Sequence, residues 1–382
     1  MVRLALLVGT SIFAAFLILN SAQILRENPR EMIFERSVNT QATSSLSTAS
    51  FTTMQEEIPS PVIEDVQGKA KATSSEAQKE VITSAPPPPL VIPPPIADAR
   101  PASLAPEILN EKSRSALVNI LCEATAPLRS TSGSGVIIDS RGVILTNAHI
   151  AQLFLFEDSA LVSCTIRSGS PARAQWRAKL IFIPELWVKK HAEDILNSRA
   201  TGTGEHDYAF LLITEALDSS PLPSFPFIPL NTDDVASVTG DPVLIAGYPA
   251  EFVGGSAARN SLHASTVFSN VKQLLTFTED IVDVISVSGT ALAQSGSSGG
   301  AFVNLYGSLV GLIVTTSIGD TTATRDLHAI TPSHIQRSLL RHIGLSISAF
   351  LSSDESALKR GFLKDRDMLS KLLSDAIAAR RN

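Results

Sequence analysis

The strongest constraint on the fold is a succession of short apolar segments. From Ala116 onward these segments alternate with Gly, Ser, Asp and Pro, and no long helical periodicity appears before Pro332. About a dozen such segments can be counted, each bounded by turn-forming residues. This pattern is typical of antiparallel β-structure and predicts an all-β barrel or sandwich. Aromatic residues make up only 5% of the chain, so aliphatic side chains must fill its core.

The first hundred residues have a different character. Residues 4–19 carry no charged side chain. A helix extended from there to Leu25, at about 1.5 Å per residue, would cross the hydrocarbon core of a membrane. We predict a signal anchor or signal peptide over residues 1–26. Residues 27–107 are rich in Ser, Thr and Pro, with four consecutive prolines at 86–89, and are predicted to form a disordered linker. The folded part would then lie outside the cytoplasm, anchored to the membrane or secreted after cleavage.

Composition excludes several classes of protein. The 382-residue chain has a net charge of -6, so it lacks the basic excess of a nucleic-acid-binding protein. Two cysteines are too few for a disulfide-rich scaffold or a four-cysteine zinc site. The seven histidines show no metal-like pairing, and we predict neither a metal nor an organic cofactor.

Three segments of the predicted β-domain carry residues suited to chemistry. The apolar strand Val143–Thr146 delivers His149 just beyond its end, and Asp207 stands where a polar loop enters an apolar strand. Ser298 lies in the glycine-rich turn Gly296–Gly300, whose backbone N–H groups could converge on one point. Taken singly, these residues have ordinary explanations as a surface histidine, a turn aspartate and a flexible loop.

In combination, the three segments resemble the trypsin-like (chymotrypsin-fold) serine proteases. Residues 146–149 match the family's T-x-A-H motif, residues 207–211 its D-x-A-x-L motif and residues 296–300 its G-x-S-G-G motif. The strand Val243–Pro249 resembles the one that ends in G-x-P in the bacterial HtrA-type branch. The resemblance covers roughly Ala116 to Ile343, with the motifs in the family's order.

The resemblance implies a fold and a reaction. The fold would be two six-stranded antiparallel β-barrels with a C-terminal helix, forming a protease domain over residues 108–345. Ser298 would attack the peptide carbonyl, His149 would transfer the proton and Asp207 would orient the imidazole. The backbone N–H groups of Gly296 and Ser298 would form the oxyanion hole, and the substrates would be proteins or peptides.

The resemblance also locates a substrate pocket, and no acidic residue stands at the bottom of that pocket. This pocket would favour a small or medium apolar residue before the cleaved bond. Its residues would be Leu292, Ala293, Val314, Thr315 and Thr316.

The chain departs from the family in two places. Digestive members have an aspartate where Ser297 stands, so activation by a newly cut N-terminus is not expected. HtrA-type proteins usually continue into a PDZ domain, for which the roughly 40 residues after Ile343 are too few. A catalytically idle protease fold, tethered to the membrane as a binding module, remains the alternative. The oligomeric state is not predicted.

Two further features stay open at the level of sequence. Cys122 falls in the first predicted strand and Cys164 in a strand soon after His149, and they are either a disulfide of an exported protein or two buried thiols.

The tail, residues 346–382, is predicted to form an amphipathic helix. We expect it to dock on the barrel, with self-association and membrane contact as alternatives. A preceding helix is predicted over 332–343, capped by Thr331. The apolar face of that helix would consist of Ile335, Leu339, Leu340 and Ile343.

Overall fold

A computed structural model of the chain describes residues 102–157, 159–197, 203–277, 281–317 and 319–380. The predicted anchor and nearly all of the predicted linker lie outside these residues. Within them, no helix is both long and apolar enough to span a membrane.

Six strands close into a first antiparallel barrel in the order β1-β2-β3-β6-β5-β4. Apolar residues alternate into its interior, where Ile120, Ile144 and Leu211 are fully buried. The strands are β1 (Leu117–Ala124), β2 (Thr131–Asp139), β3 (Val143–Thr146), β4 (Val162–Ser168), β5 (Arg173–Phe182) and β6 (Ala209–Ala216).

The remaining six strands close into a second barrel in the order β7-β8-β9-β12-β11-β10. This order repeats that of the first barrel, strand for strand. Val243, Phe302 and Val310 are among the buried side chains of its core. The strands are β7 (Pro242–Gly247), β8 (Ser265–Leu275), β9 (Val284–Val287), β10 (Ala301–Asn304), β11 (Leu309–Thr316) and β12 (Leu327–Ile330).

Helices occupy the connections and the C-terminal part. The two short 3₁₀ segments Gln152–Phe156 and Ala192–Leu196 follow the second and third helices. The helices are α1 (Pro106–Ser115), α2 (Ala148–Ala151), α3 (Glu185–His191), α4 (Gly255–Asn260), α5 (Pro332–Ile343), α6 (Ile347–Ser352) and α7 (Glu355–Ala379).

The predicted fold class is confirmed: the chain forms two closed six-stranded antiparallel barrels followed by a C-terminal helix. Each of the dozen predicted segments overlaps one observed strand. Helix α1 begins at Pro106, close to the predicted domain boundary at residue 108. The backbone N–H of Leu104 also donates to Leu305 O at 2.8 Å, so the chain already contacts the second barrel there.

Helix α5 has the predicted N-cap, since the Thr331 side chain accepts a hydrogen bond from the His334 N–H. Its predicted apolar face is only half correct. Ile335 and Leu339 are fully buried, whereas Leu340 and Ile343 are 43% and 38% exposed. The helix lies against the barrel along a narrow stripe, and its last turn faces outward.

The long helix α7 packs its apolar face on the first barrel, as the docking prediction expects. The helix begins where the Asp354 side chain accepts from the Ala357 N–H. Its buried side chains are Leu358, Phe362, Leu369, Leu373 and Ile377.

Candidate active site

His149 is held at the end of a core strand. Strand β3 ends at Thr146, Asn147 keeps an extended backbone, and the short helix α2 then carries His149. The ring Nδ1 lies 2.7 Å from Asp207 Oδ2, and the His149 backbone N–H donates to Asp207 Oδ1 at 2.9 Å. The carboxylate thus binds both the backbone and the ring of His149. Since Nδ1–H donates to this carboxylate, Nε2 is the nitrogen left to exchange protons.

Asp207 is buried at the entry to strand β6, where its side chain is 8% exposed. Its N–H donates to Gly204 O at 3.1 Å, which closes a tight turn before the strand. Its carbonyl accepts a hydrogen bond from Asn147 Nδ2 at 2.9 Å. Because Asn147 also precedes the histidine helix, this contact joins the two segments that carry Asp207 and His149.

Ser298 lies in a turn that only glycine can build. Gly296 and Gly299 have φ values of +93° and +82°, a region that L side chains rarely adopt. A Cβ on Gly296 would lie 2.5 Å from Tyr248 O, and one on Gly299 would collide with Ser134 O. Gly296 therefore lets the turn lie against the segment after β7, and Gly299 lets it approach Ser134 of the first barrel.

Ser134 of strand β2 connects the serine turn to the first barrel. Its N–H donates to Ser298 O at 2.8 Å, and its hydroxyl donates to Gly296 O at 2.7 Å. The same hydroxyl accepts from the Tyr248 N–H at 2.9 Å, while Thr146 Oγ1 donates to Ser134 O at 2.8 Å. Through Thr146 and Ser134, the strand that precedes His149 is hydrogen-bonded to the turn that carries Ser298.

Hydrogen bonds join His149 to Asp207, and the backbone brings Ser298 to the same side of the molecule. Among the hydrogen bonds of the described residues, none involves Ser298 Oγ or His149 Nε2. Such contacts are often long in proteases without substrate and shorten on binding. Within the same described part, the N–H groups of Gly296 and Ser298 donate to no backbone acceptor. These two donors are therefore available to an oxyanion.

The predicted pocket residues lie in different surroundings. Leu292 and Ala293 are buried in the core of the second barrel. Val314 is buried too and lies beside Gly204, in the loop that precedes Asp207. Thr315 pairs with His328 in the sheet, although its side chain is outside the described part, and Thr316 is half-buried.

The two cysteines are bonded to each other. Cys122 on β1 and Cys164 on β4 face each other directly in the antiparallel ladder, with an S–S distance of 2.03 Å. The bond joins two neighbouring strands of the first barrel.

Among the described residues, no group of three or more His, Cys, Asp or Glu side chains could hold a metal ion.

Sequence reasoning missed the residues that position the site. Ser134 and Asn147 are fully buried polar residues whose side chains bind backbone groups of the other two segments. The only signal for Ser134 is its place between Gly133 and Gly135, two residues at which any side chain would strike the barrel core. Nothing in the local pattern marks Asn147 as more than a cap for the histidine helix.

A search of curated proteins found no match. The structure of a serine endoprotease from Yersinia pestis resembles the chain with a TM-score of 0.40 and 20% identity, over 64% of this chain and 68% of the other. Residues 133–312 match the family model described as the trypsin-like peptidase domain. That range contains His149, Asp207 and Ser298. The match and the two-barrel fold agree, so this part of the chain is identified as a trypsin-like peptidase domain.

Proposed function

We propose that the protein is a serine endopeptidase that hydrolyses peptide bonds through Ser298, His149 and Asp207. The observation that carries the proposal is the pair of hydrogen bonds from His149 to the buried Asp207, at 2.7 and 2.9 Å. Such a carboxylate fixes the imidazole in the orientation and tautomer that a general base needs. The glycine turn adds a serine and two free backbone donors on the facing barrel.

The reaction follows from these roles. Ser298 Oγ attacks the scissile carbonyl while His149 Nε2 takes the hydroxyl proton, because an unassisted hydroxyl is a weak nucleophile at neutral pH. The negative charge on the carbonyl oxygen is stabilised by the N–H groups of Gly296 and Ser298, each worth about 3 kcal/mol in the transition state. The imidazolium then gives its proton to the leaving amine. A water molecule then attacks the acyl-enzyme in the same way, with His149 again taking the proton, and releases the second product.

The surroundings of the pocket support a preference for small or medium apolar residues before the cleaved bond. Leu292 and Ala293 offer no charge to pair with Lys or Arg. A peptide library cleaved chiefly after Arg would contradict this preference. We further propose that the domain works outside the cytoplasm, tethered by the segment at residues 1–26. The cross-strand disulfide supports that compartment, since such bonds persist mainly in oxidising environments.

The variant Ser298→Ala tests the proposal with a fluorophosphonate probe and a peptide substrate. We expect the wild-type protein to label and cleave, and the variant to do neither while its circular dichroism stays unchanged. The matched control is Ser297→Ala, in the same turn. The Ser297 hydroxyl is fully buried, so its removal should leave labelling in place. Absence of labelling in folded wild-type protein would favour the idle binding module instead.

A further inference from the structure

The direction of the Gly296 N–H depends on the peptide unit that joins Ser295 to Gly296. In a planar trans peptide, the C=O and the N–H point in opposite directions. The Ser295 carbonyl accepts a hydrogen bond from the Ala250 N–H at 2.8 Å. This contact holds the carbonyl toward the segment after strand β7. It therefore turns the Gly296 N–H the other way, where an oxyanion would need it.

The Ser295 N–H is held by the same segment. It donates to Glu251 Oε2 at 3.1 Å, while the Ser295 carbonyl accepts from the neighbouring Ala250. Both backbone groups of Ser295 are thus bound by two consecutive residues. A glycine follows immediately, with an unusual φ of +93°, so no side chain at that position fixes the peptide sterically. The contacts to Ala250 and Glu251 supply the restraint.

The Glu251 carboxylate is in turn fixed by Arg325. Arg325 Nη1 lies 3.0 Å from both Glu251 oxygens, and its Nε donates to Gly319 O at 2.9 Å. Arg325 is in the connection between β11 and β12, and the two side chains are 21% and 27% exposed. A glutamate in a half-buried, charge-assisted pair has far fewer accessible rotamers than a glutamate surrounded by water. The carboxylate is thereby aimed at the Ser295 N–H.

We propose that Glu251, oriented by Arg325, is a positioning residue for the oxyanion hole. Glu251 holds the preceding peptide, Gln294–Ser295, through the Ser295 N–H. With that peptide fixed, the Ser295 carbonyl stays on the Ala250 N–H and the Gly296 N–H faces the position of the developing oxyanion. The inference rests on the proposed peptidase function. It adds to that function a chain of contacts from Arg325, between β11 and β12, through Glu251 to the turn that carries Ser298.

Kinetics with a short fluorogenic peptide carrying a small apolar residue before the cleaved bond test the proposal. Because the oxyanion forms only in the transition state, Glu251→Ala should lower kcat about 10- to 100-fold and leave KM within about twofold. Arg325→Ala should lower kcat about tenfold. Glu251→Gln should retain more activity than Glu251→Ala, since its amide oxygen still accepts from Ser295.

The neighbouring ion pair provides the matched control. Lys272 Nζ lies 2.7 Å from Asp326 Oδ2, beside Arg325 on the same connection, but this pair has no contact with Ser295. Lys272→Ala should therefore keep the wild-type kcat. A loss equal to that of Arg325→Ala would show that the connection matters only as a whole, and would overturn the specific role of Glu251.

Exchanging the two charges tests whether the ion pair alone is sufficient or whether an acceptor for the Ser295 N–H is needed. The double variant Glu251→Arg, Arg325→Glu can form the ion pair again but places a donor opposite the Ser295 N–H. We expect its kcat to stay as low as that of Glu251→Ala, and recovery to the wild-type kcat would refute the proposal. A crystal structure of Glu251→Ala gives a readout besides activity, with the Ser295 carbonyl expected to have left the Ala250 N–H. An unchanged peptide orientation would count against the inference.

These assays include Ser298→Ala as a reference. Wild-type protein without Ser298-dependent cleavage would overturn the proposed function and this inference with it. Active wild-type protein and fully active Glu251→Ala would overturn the inference alone.

Discussion

At the scale of single residues, Ser134 is the side chain on which the two halves of the site meet. Its hydroxyl is fully buried, donates to Gly296 O and accepts from the Tyr248 N–H. One hydroxyl thus satisfies two backbone groups of the second barrel from the first. Burial raises the pKa of Tyr248 to about 12, so its own hydroxyl stays protonated and donates to Gly169 O across the same interface.

Replacing Ser134 with Ala should weaken both the fold and the reaction. Two buried backbone groups lose their partner, which costs about 1–3 kcal/mol of unfolding free energy, and the Gly296 peptide loses a restraint. Urea unfolding and kcat measure the two effects. Ser286→Ala is the control, because the Ser286 hydroxyl is equally buried but has no hydrogen-bond partner. Equal stability losses in both variants would contradict the role given to Ser134.

At the scale of elements, helix α5 is fastened to the loop that precedes Asp207. His334 Nε2 donates to Glu205 O at 2.6 Å, and its Nδ1 lies 2.8 Å from Asp283 Oδ1. Asp283 also accepts from Arg337 and from the Phe277 N–H, each at 2.8 Å. The helix thereby joins the second barrel to the segment that carries Asp207.

Asp283 should make stability depend on pH in the acid range. Burial alone would raise the pKa of Asp283, but the hydrogen bonds from Phe277, Arg337 and His334 outweigh it and hold that pKa below its ordinary value. A carboxylate with a lowered pKa stabilises the fold above its unfolded pKa and loses this contribution as the pH falls through the folded one.

Asp283→Asn should therefore lower the unfolding free energy at neutral pH by about 1–3 kcal/mol, because the hydrogen bonds from Phe277, Arg337 and His334 lose their charged acceptor. The variant should also show a shallower loss of stability between about pH 5 and pH 2 than the wild type. Urea titrations across that range measure both. A wild-type slope retained in the variant would show that other carboxylates cause the acid sensitivity.

Helix α7 stabilises the first barrel through a few side chains. Leu373 is fully buried between the helix and the barrel core, whereas Leu363 on the same helix is 46% exposed. Leu373→Ala should cost about 2–5 kcal/mol of unfolding free energy, because it removes buried methyl groups and leaves a cavity. Leu363→Ala should change stability by less than about 0.5 kcal/mol. Thermal unfolding compares the two, and similar small shifts would show that α7 contributes little to the barrel.

The sequence pattern predicted the strands better than the short helices. Strands such as β3 and β7 lie where apolar segments were predicted, since apolar runs between Gly, Asp and Pro are strong local signals. Helices α3 and α4 were not predicted, because their 7 and 6 residues are too few to show a helical period. The exposure of Leu340 and Ile343 was likewise not predicted, because it depends on which part of α5 the barrel covers.

At the scale of the whole molecule, the candidate site is divided between the barrels. The first barrel supplies His149 and Asp207, and the second supplies Ser298 and the two backbone donors. Polar contacts connect the two barrels. The guanidinium of Arg167 in β4 donates to Ala258 O and to Arg259 O at the end of α4. The Ala172 N–H donates to Leu262 O nearby, at 2.7 Å.

By itself, the amino-acid sequence determined the strands, the glycine turn and the identity of the three candidate catalytic residues. These depend on local periodicity, on glycine's freedom at positive φ and on short motifs, all of which can be seen within a few residues. Only the tertiary structure decided that Ser134, Asn147, Glu251 and Arg325 support the site. Their partners lie far away in the chain, and barrel closure and strand register bring them together. A contact between distant residues leaves no period in either segment, so no local pattern could have revealed it.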